Sequence, residues 1–224
     1  MATADGAPAA AFGQLEFKLA YHDLLNNDQG FSRNSQVDFP NLTLRYGGTP
    51  GNSQDSLRVE RLGIITVTSL FPMDPWEGQL SWTADLSYES PKDFGCENCH
   101  TVQLEGGGGP AISFFSDHLT LYSLFLAHTE AGSALTGYFR FGPELQIAAL
   151  FQPAPRFKSL LLAQATGDLA QSARQAIFAE VQWRNSFSLS QNWELRGSAK
   201  DYVPTDRRKA SNYGEFNFSL NRYF

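Results

Sequence analysis

The chain ends in G-E-F-N-F-S-L-N-R-Y-F, Gly214 to Phe224, and this stretch decides how the rest is read. Successive side chains of an extended strand point to opposite faces. Phe216, Phe218, Leu220 and Phe224 therefore share one face, while Asn217, Ser219, Asn221 and Tyr223 share the other. A two-faced strand that stops on an aromatic has the form of the closing strand of an outer-membrane β-barrel, whose end the barrel assembly machinery reads. The four apolar residues are the expected barrel-closing signal. Arg222 interrupts their face and fits there only at a membrane edge, where its head group can snorkel to water. A soluble barrel or sandwich would carry the same alternation with its aromatic face turned inward.

Working back along the chain, the alternation recurs. Leu15, Phe17, Leu19 and Tyr21 oppose Glu16, Lys18, Ala20 and His22, and Leu80, Trp82, Ala84, Leu86 and Tyr88 oppose Ser81, Thr83, Asp85 and Ser87. In one hairpin Ile177, Ala179, Val181 and Trp183 oppose Glu180, Gln182 and Arg184. Its second arm sets Trp193, Leu195, Gly197 and Ala199 against Glu194, Arg196, Ser198 and Lys200. Between Val37 and Tyr46 the phase shifts at Pro40 and Asn41, as at a bulge. Thr101 to Ser113 is extended but carries four glycines, Gly106 to Gly109, which mark a sharp bend or the close approach of another backbone.

About eleven such segments are visible. Bacterial single-chain barrels have an even number of strands with both termini on the periplasmic side. The expected fold is therefore all-β, an antiparallel up-and-down transmembrane β-barrel of twelve strands, within a range of ten to twelve. Residues 1–11 are expected to form a flexible N-terminal segment, and residues 12–224 a single barrel domain. The short turns near Phe115, Ala154 and Ser190 would be periplasmic, and the loop from Val203 to Asn212 extracellular.

Composition agrees. The 224 residues hold 13% aromatics, 19 glycines and only 18% charged residues, with a net charge of -6 and no basic stripe for nucleic acid. No run of 18 or so apolar residues exists to form a transmembrane helix. The start, M-A-T-A-D-G-A-P-A-A, lacks the basic and apolar regions of a secretory signal, so the chain is expected to be a mature fragment whose upstream part is missing.

Lipid tells the two faces apart. A Lys or Arg at the bilayer midplane costs about 2–4 kcal/mol, so the charged face must point into the barrel. Glu16, Lys18, Glu180, Arg184, Glu194, Arg196 and Lys200 are the expected lumen charge network, paired across neighbouring strands. Tyr21, Tyr46, Tyr88, Trp183, Trp193 and Tyr202, at strand ends, suit interfacial girdles.

No catalytic, cofactor or metal site is expected. Cys96, Cys99 and His100 place three soft ligands in five residues, short of the four-ligand structural zinc pattern, and the two cysteines form a disulfide or a reduced loop pair. His22 beside Asp23, His118 beside Asp117, and His128 are each half of a hydrolase pair, but Ser123 lies on the opposite strand face from both His118 and His128. The run T-D-R-R-K, Thr205 to Lys209, is either a site for lipopolysaccharide phosphates or a solvated loop.

Several stretches carry a family resemblance. They are Y-H-D-L-L from Tyr21, G-F-S-R-N-S-Q-V-D-F-P-N-L-T-L-R-Y from Gly30, L-R-V-E-R-L from Leu57, S-L-F-P-M-D-P-W-E-G-Q-L-S-W from Ser69, C-E-N-C from Cys96, G-P-E-L-Q-I-A-A-L-F-Q-P-A-P-R from Gly142, and the terminal R-Y-F. In this order they resemble the C-terminal barrel domain of a proteobacterial envelope-protein family. The N-terminal half of that family is an Lnb-type periplasmic domain, similar to lipoprotein intramolecular transacylase. The resemblance implies a bacterial outer-membrane location in a Gram-negative envelope and an upstream periplasmic domain with a Cys/His site. The barrel would anchor that domain without being catalytic itself. A narrow pore and a lipid-modifying barrel hydrolase are the alternatives. Expected partners are outer-membrane lipid and lipopolysaccharide, the assembly machinery and the upstream domain, with no nucleic acid and no cofactor.

Overall fold

A computed structural model describes residues 11–26, 33–47, 57–73, 78–90, 100–132, 135, 138–169, 177–204 and 213–223. Cys96, Cys99, Phe224 and the basic run 205–209 lie outside the described residues. The protein is all-β, with twelve strands in one antiparallel up-and-down sheet. They are β1 (Phe12–His22), β2 (Ser35–Gly47), β3 (Leu57–Ser69), β4 (Ser81–Glu89), β5 (Thr101–Gly109), β6 (Ala111–Phe114), β7 (Leu119–Ala131), β8 (Phe139–Ala154), β9 (Phe157–Gly167), β10 (Ile177–Ser188), β11 (Trp193–Pro204) and β12 (Tyr213–Arg222).

Each strand pairs with the next, except that β5 and β6 both pair with β7. Pro110 separates them. Having no N–H to give a ladder, it divides one extended run in two, which is why Thr101 to Ser113 reads as one strand in sequence and appears as two in the structure. The sheet thus has twelve strands in eleven positions. The odd number of positions corrects one expectation: β1 and β12 run in the same direction, so Phe12 and Arg222 lie at opposite ends of the sheet. Among the described residues no ladder joins β1 to β12. Their outward side chains are correspondingly the barest of any strand, Leu19 being 86%, Phe216 79% and Phe218 75% exposed.

The sheet rolls up around a cavity of about 470 Å³ lined from every position, from Gln14 and Glu16 of β1 to Glu215 and Asn217 of β12. Its faces are inverted relative to a water-soluble core. Phe17, Phe39, Leu104, Phe125, Ile147, Trp183 and Phe218 point outward and are exposed, whereas Asp38, Arg45, His128, Glu130, Glu144, Gln182 and Glu194 point inward and are buried. Tyr46, Trp183 and Trp193 face outward as girdle residues should, but Tyr202 does not. It is buried inside, with its ring centroid 5.8 Å from that of Phe178. Arg222 stays outside, its guanidinium 5.5 Å from the Trp193 ring on the neighbouring strand, a cation–π contact that lets an arginine sit on an aromatic face.

The glycine run is a corner. Gly107 and Gly109 face inward where the β7 backbone comes close: a Cβ on Gly107 would stand 2.1 Å from the Phe125 carbonyl oxygen, and one on Gly109 2.0 Å from that of Ser123. Only a residue without a side chain permits that curl.

One half of the lumen is plugged. After His22 the chain turns inward, and Leu24 and Leu25 are buried against Tyr122, Leu124, Leu126, Ala148, Leu150 and Leu160. This explains why β7 is apolar on both faces in its first half: Leu121 and Phe125 face out, while Tyr122, Leu124 and Leu126 meet the inserted turn.

Gly109→Ala should lower stability by several kcal/mol because the backbone opposite cannot retreat, whereas Gly106→Ala, whose Cβ would find the nearest atom at 3.7 Å, should be close to neutral. Denaturant titration of both variants in detergent checks this, and equal effects would rule out the corner.

Candidate functional site in the lumen

Confinement brings the inward charges together. Around the inserted turn, Asp23 accepts hydrogen bonds from the Leu25 backbone N–H at 3.1 Å and from Arg196 Nη1 at 2.7 Å, with Arg184 Nη1 4.0 Å away. Arg196 also reaches Glu194 and Asn26, and the Tyr223 hydroxyl donates to Glu194 at 3.1 Å. The turn is thereby latched to β10, β11 and the end of the chain. Burial acts to raise the Asp23 carboxyl, but Arg196, Arg184 and Lys18 outweigh it and hold the group well below the usual carboxylate range. Burial pushes the Tyr223 phenol above its usual range, with Arg196 opposing and Glu194 adding to the rise, so it remains a neutral donor.

A second group occupies the other half of the lumen. Arg45, on β2, pairs with Glu215 on β12 and lies 3.6 Å from Glu60 on β3, with its guanidinium 4.0 Å from the Phe12 ring. Arg61 bridges Asp85 and Glu89, each at 2.7 Å. The Arg45–Glu215 pair is a direct ionic tie of β12 to the first strands.

The third group carries the densest chemistry. His128 on β7 stands opposite Glu105 on β5, its Nδ1 2.8 Å from Glu105 Oε1 and 3.7 Å from Glu144 Oε2 on β8. Opposite it on β8 is Gly142, at which a Cβ would stand 1.5 Å from the carbonyl oxygen of Gly167. Glu130 is two residues further along β7, on the same face. It accepts from Thr101 and Arg140 and, at 3.5 Å, from the Gln103 amide.

The structure disperses the charged residues expected from sequence. Lys18 lies 3.1 Å from Glu16 and 3.5 Å from Asp38, Lys200 is 3.8 Å from Glu180, and Arg184 and Arg196 both face Asp23. The sequence pattern passed over Arg45, Glu60, Arg61, Glu105, Glu130, Arg140, Glu144 and Glu215. A signal for most of them existed: each lies in phase with the polar face of its own strand, but which of these residues meet depends on sheet register. Of the half-sites, His22 is buried behind the inserted turn, and His118 lies in the β6–β7 turn with its Nδ1 2.8 Å from the Gln152 carbonyl oxygen. Ser123, half-buried on the outward face of β7, is turned away from the inward-pointing His128.

Fold and site together define a class: a rolled antiparallel sheet with an apolar outer face and an ion-paired, partly plugged lumen. Within it, the chain belongs to the family described as Domain of unknown function (DUF7840), whose model matches residues 2–223. No curated protein and no solved structure matches it.

The Asp23 latch predicts a pH dependence. An unfolded Asp titrates near its ordinary value of about 3.9, and the folded group is held lower, so the latch stabilises fully above the unfolded value and is lost as pH falls through it toward the folded one. Between pH 7 and pH 3 the urea midpoint of the parent protein should fall more than that of Asp23→Asn. Equal falls would show that the latch contributes nothing.

Proposed function

We propose that this chain is an outer-membrane β-barrel module whose role is to hold an attached periplasmic domain at the membrane, without a reaction of its own. The observation that carries the reading is the inversion of the two faces: large apolar side chains are exposed all around the outside while ionised groups are buried and paired within. In water such a molecule would expose its largest apolar surface and bury its charges, both unfavourable; in a bilayer both choices become favourable. A continuous hydrogen-bonded sheet satisfies the backbone from β2 to β11 in hydrocarbon.

The lumen favours anchoring over conduction. Leu24 and Leu25 fill one half, where Arg184 and Arg196 hold the inserted turn through Asp23, and Arg45, Glu60 and Glu215 gather in the other. The hydrolase reading has no support in geometry, because Ser123 and His128 lie on opposite faces of β7. The sequence resemblance supplies the nature of the attached domain, an Lnb-type module joined through residues preceding Phe12. On this reading the end of the sheet that carries Phe12 faces the attached domain, which reverses the orientation expected from loop length.

Three measurements test the proposal. Trp82, Trp183 and Trp193 are outward-facing and exposed, so their fluorescence should be quenched when the protein is folded into vesicles of brominated lipid; unquenched emission would sink the membrane reading. Phe125→Arg, on the outward face in the middle of β7, should cost about 2–4 kcal/mol of folding free energy in bilayers, read from the urea dependence of the heat-modifiable band. For anchoring, removal of the barrel from the longer envelope protein should release the attached domain from outer-membrane fractions. Retention there would overturn that role.

A further inference from the structure

The Glu105, His128 and Glu144 group is more than a salt-bridge cluster. One donor atom from each residue lies within 4.8 Å of the other two, and the His128 Nδ1 distances to the carboxylates are 2.8 and 3.7 Å. Ligand bonds of about 2.0–2.2 Å put neighbouring donors of a tetrahedral ion about 3.4 Å apart, so the three atoms stand close to the spacing that one ion requires.

A separate feature of the ring points the same way. His128 is only 7% exposed, yet its Nε2 has no hydrogen-bond partner. That nitrogen faces Glu130 Oε2 at 3.7 Å, and Glu130 is fixed from its other sides by Thr101, Gln103 and Arg140. Metal-binding histidines regularly ligate through one nitrogen and donate the other N–H to a carboxylate held by a further shell of hydrogen bonds. An ion at Nδ1 puts the proton on Nε2, facing Glu130, and gives the orphaned atom its role.

Charge completes the argument. Glu130 and Glu144 are each 1% exposed, and with Glu105 they make three carboxylates served by Arg140, while Arg61 is engaged by Asp85 and Glu89. A carboxylate of this group that stays ionised out of bulk water is costly unless a cation compensates it. A divalent cation supplies that compensation.

We propose that Glu105, His128 and Glu144 bind a divalent transition-metal cation of the Zn²⁺ class, with Glu130 positioning the imidazole. One nitrogen and two carboxylate oxygens suit such an ion, and the donors line the lumen cavity, where water completes the coordination. The ion joins β5, β7 and β8. This site does not depend on the anchoring role.

The test uses the full chain folded in detergent, tag-free and stripped of metal, with Cys96→Ser and Cys99→Ser included to remove the competing C-x-x-C-H ligands. Calorimetric titration with Zn²⁺ should show one ion bound per chain, and Co²⁺ should give visible d–d absorbance. His128→Gln and Glu105→Gln should each weaken binding at least tenfold while keeping the heat-modifiable band. Should His128→Gln fail to fold, the half-buried Glu105→Gln decides alone. No saturable binding, or binding unchanged in the variants, would overturn the site and leave His128 as an imidazolium held by carboxylates.

Discussion

The rest of the structure depends on the confinement of one strand face within a narrow rolled sheet. Alternation puts every second side chain into the lumen, and in this chain those positions carry Asp, Glu, Arg, Lys and His on strand after strand. Charges brought into so small a space must pair or be neutralised, because solvation by bulk water is lost and an uncompensated partner is costly. The ion pairs of Arg45, Arg61, Arg184 and Arg196 are therefore a requirement of the curl. They also knit together elements that share no ladder: Asp23 ties the turn after β1 to β10 and β11, and Arg45 ties β2 to β12.

The same constraint divides the lumen along its axis. One half is made apolar by Tyr122, Leu124, Leu126, Ala148, Leu150 and Leu160, and the chain fills it with its own Leu24 and Leu25. The other half is open and polar, with the Glu105–His128–Glu144 group on its wall. A plug latched at one end and a charged chamber at the other make a stable wall element more readily than a channel.

The seam between β1 and β12 sets the remaining problem. Exposed strand edges invite pairing, and within hydrocarbon unpaired backbone groups are costly. Because β1 and β12 run parallel, they cannot be closed by the antiparallel pattern that joins every other pair. The Arg45–Glu215 pair links β2 to β12 across this seam.

Sequence by itself determined the strands and their two faces. A period of two needs no tertiary information: Leu15 to His22, Leu80 to Tyr88 and Gly214 to Tyr223 declare which residues share a face, and the structure keeps those faces. The glycine run likewise announced a bend or a close backbone before the partner was known. Tertiary structure decided what the inward residues meet. Glu105, His128 and Glu144 belong to different strands, and their approach follows from the register of β5, β7 and β8. The inward turn at Asp23 to Asn26 is not legible in sequence, because nothing local distinguishes a loop that leaves the sheet from one that folds into it. Tyr202 suits a girdle by its position at a strand end, which says nothing of the Phe178 ring it meets inside. The eleven segments visible in sequence match the eleven positions of the sheet, and the expectation of an even number came from the rule for bacterial barrels. That Pro110 breaks one of these segments in two without reversing the chain is supplied by the folded sheet.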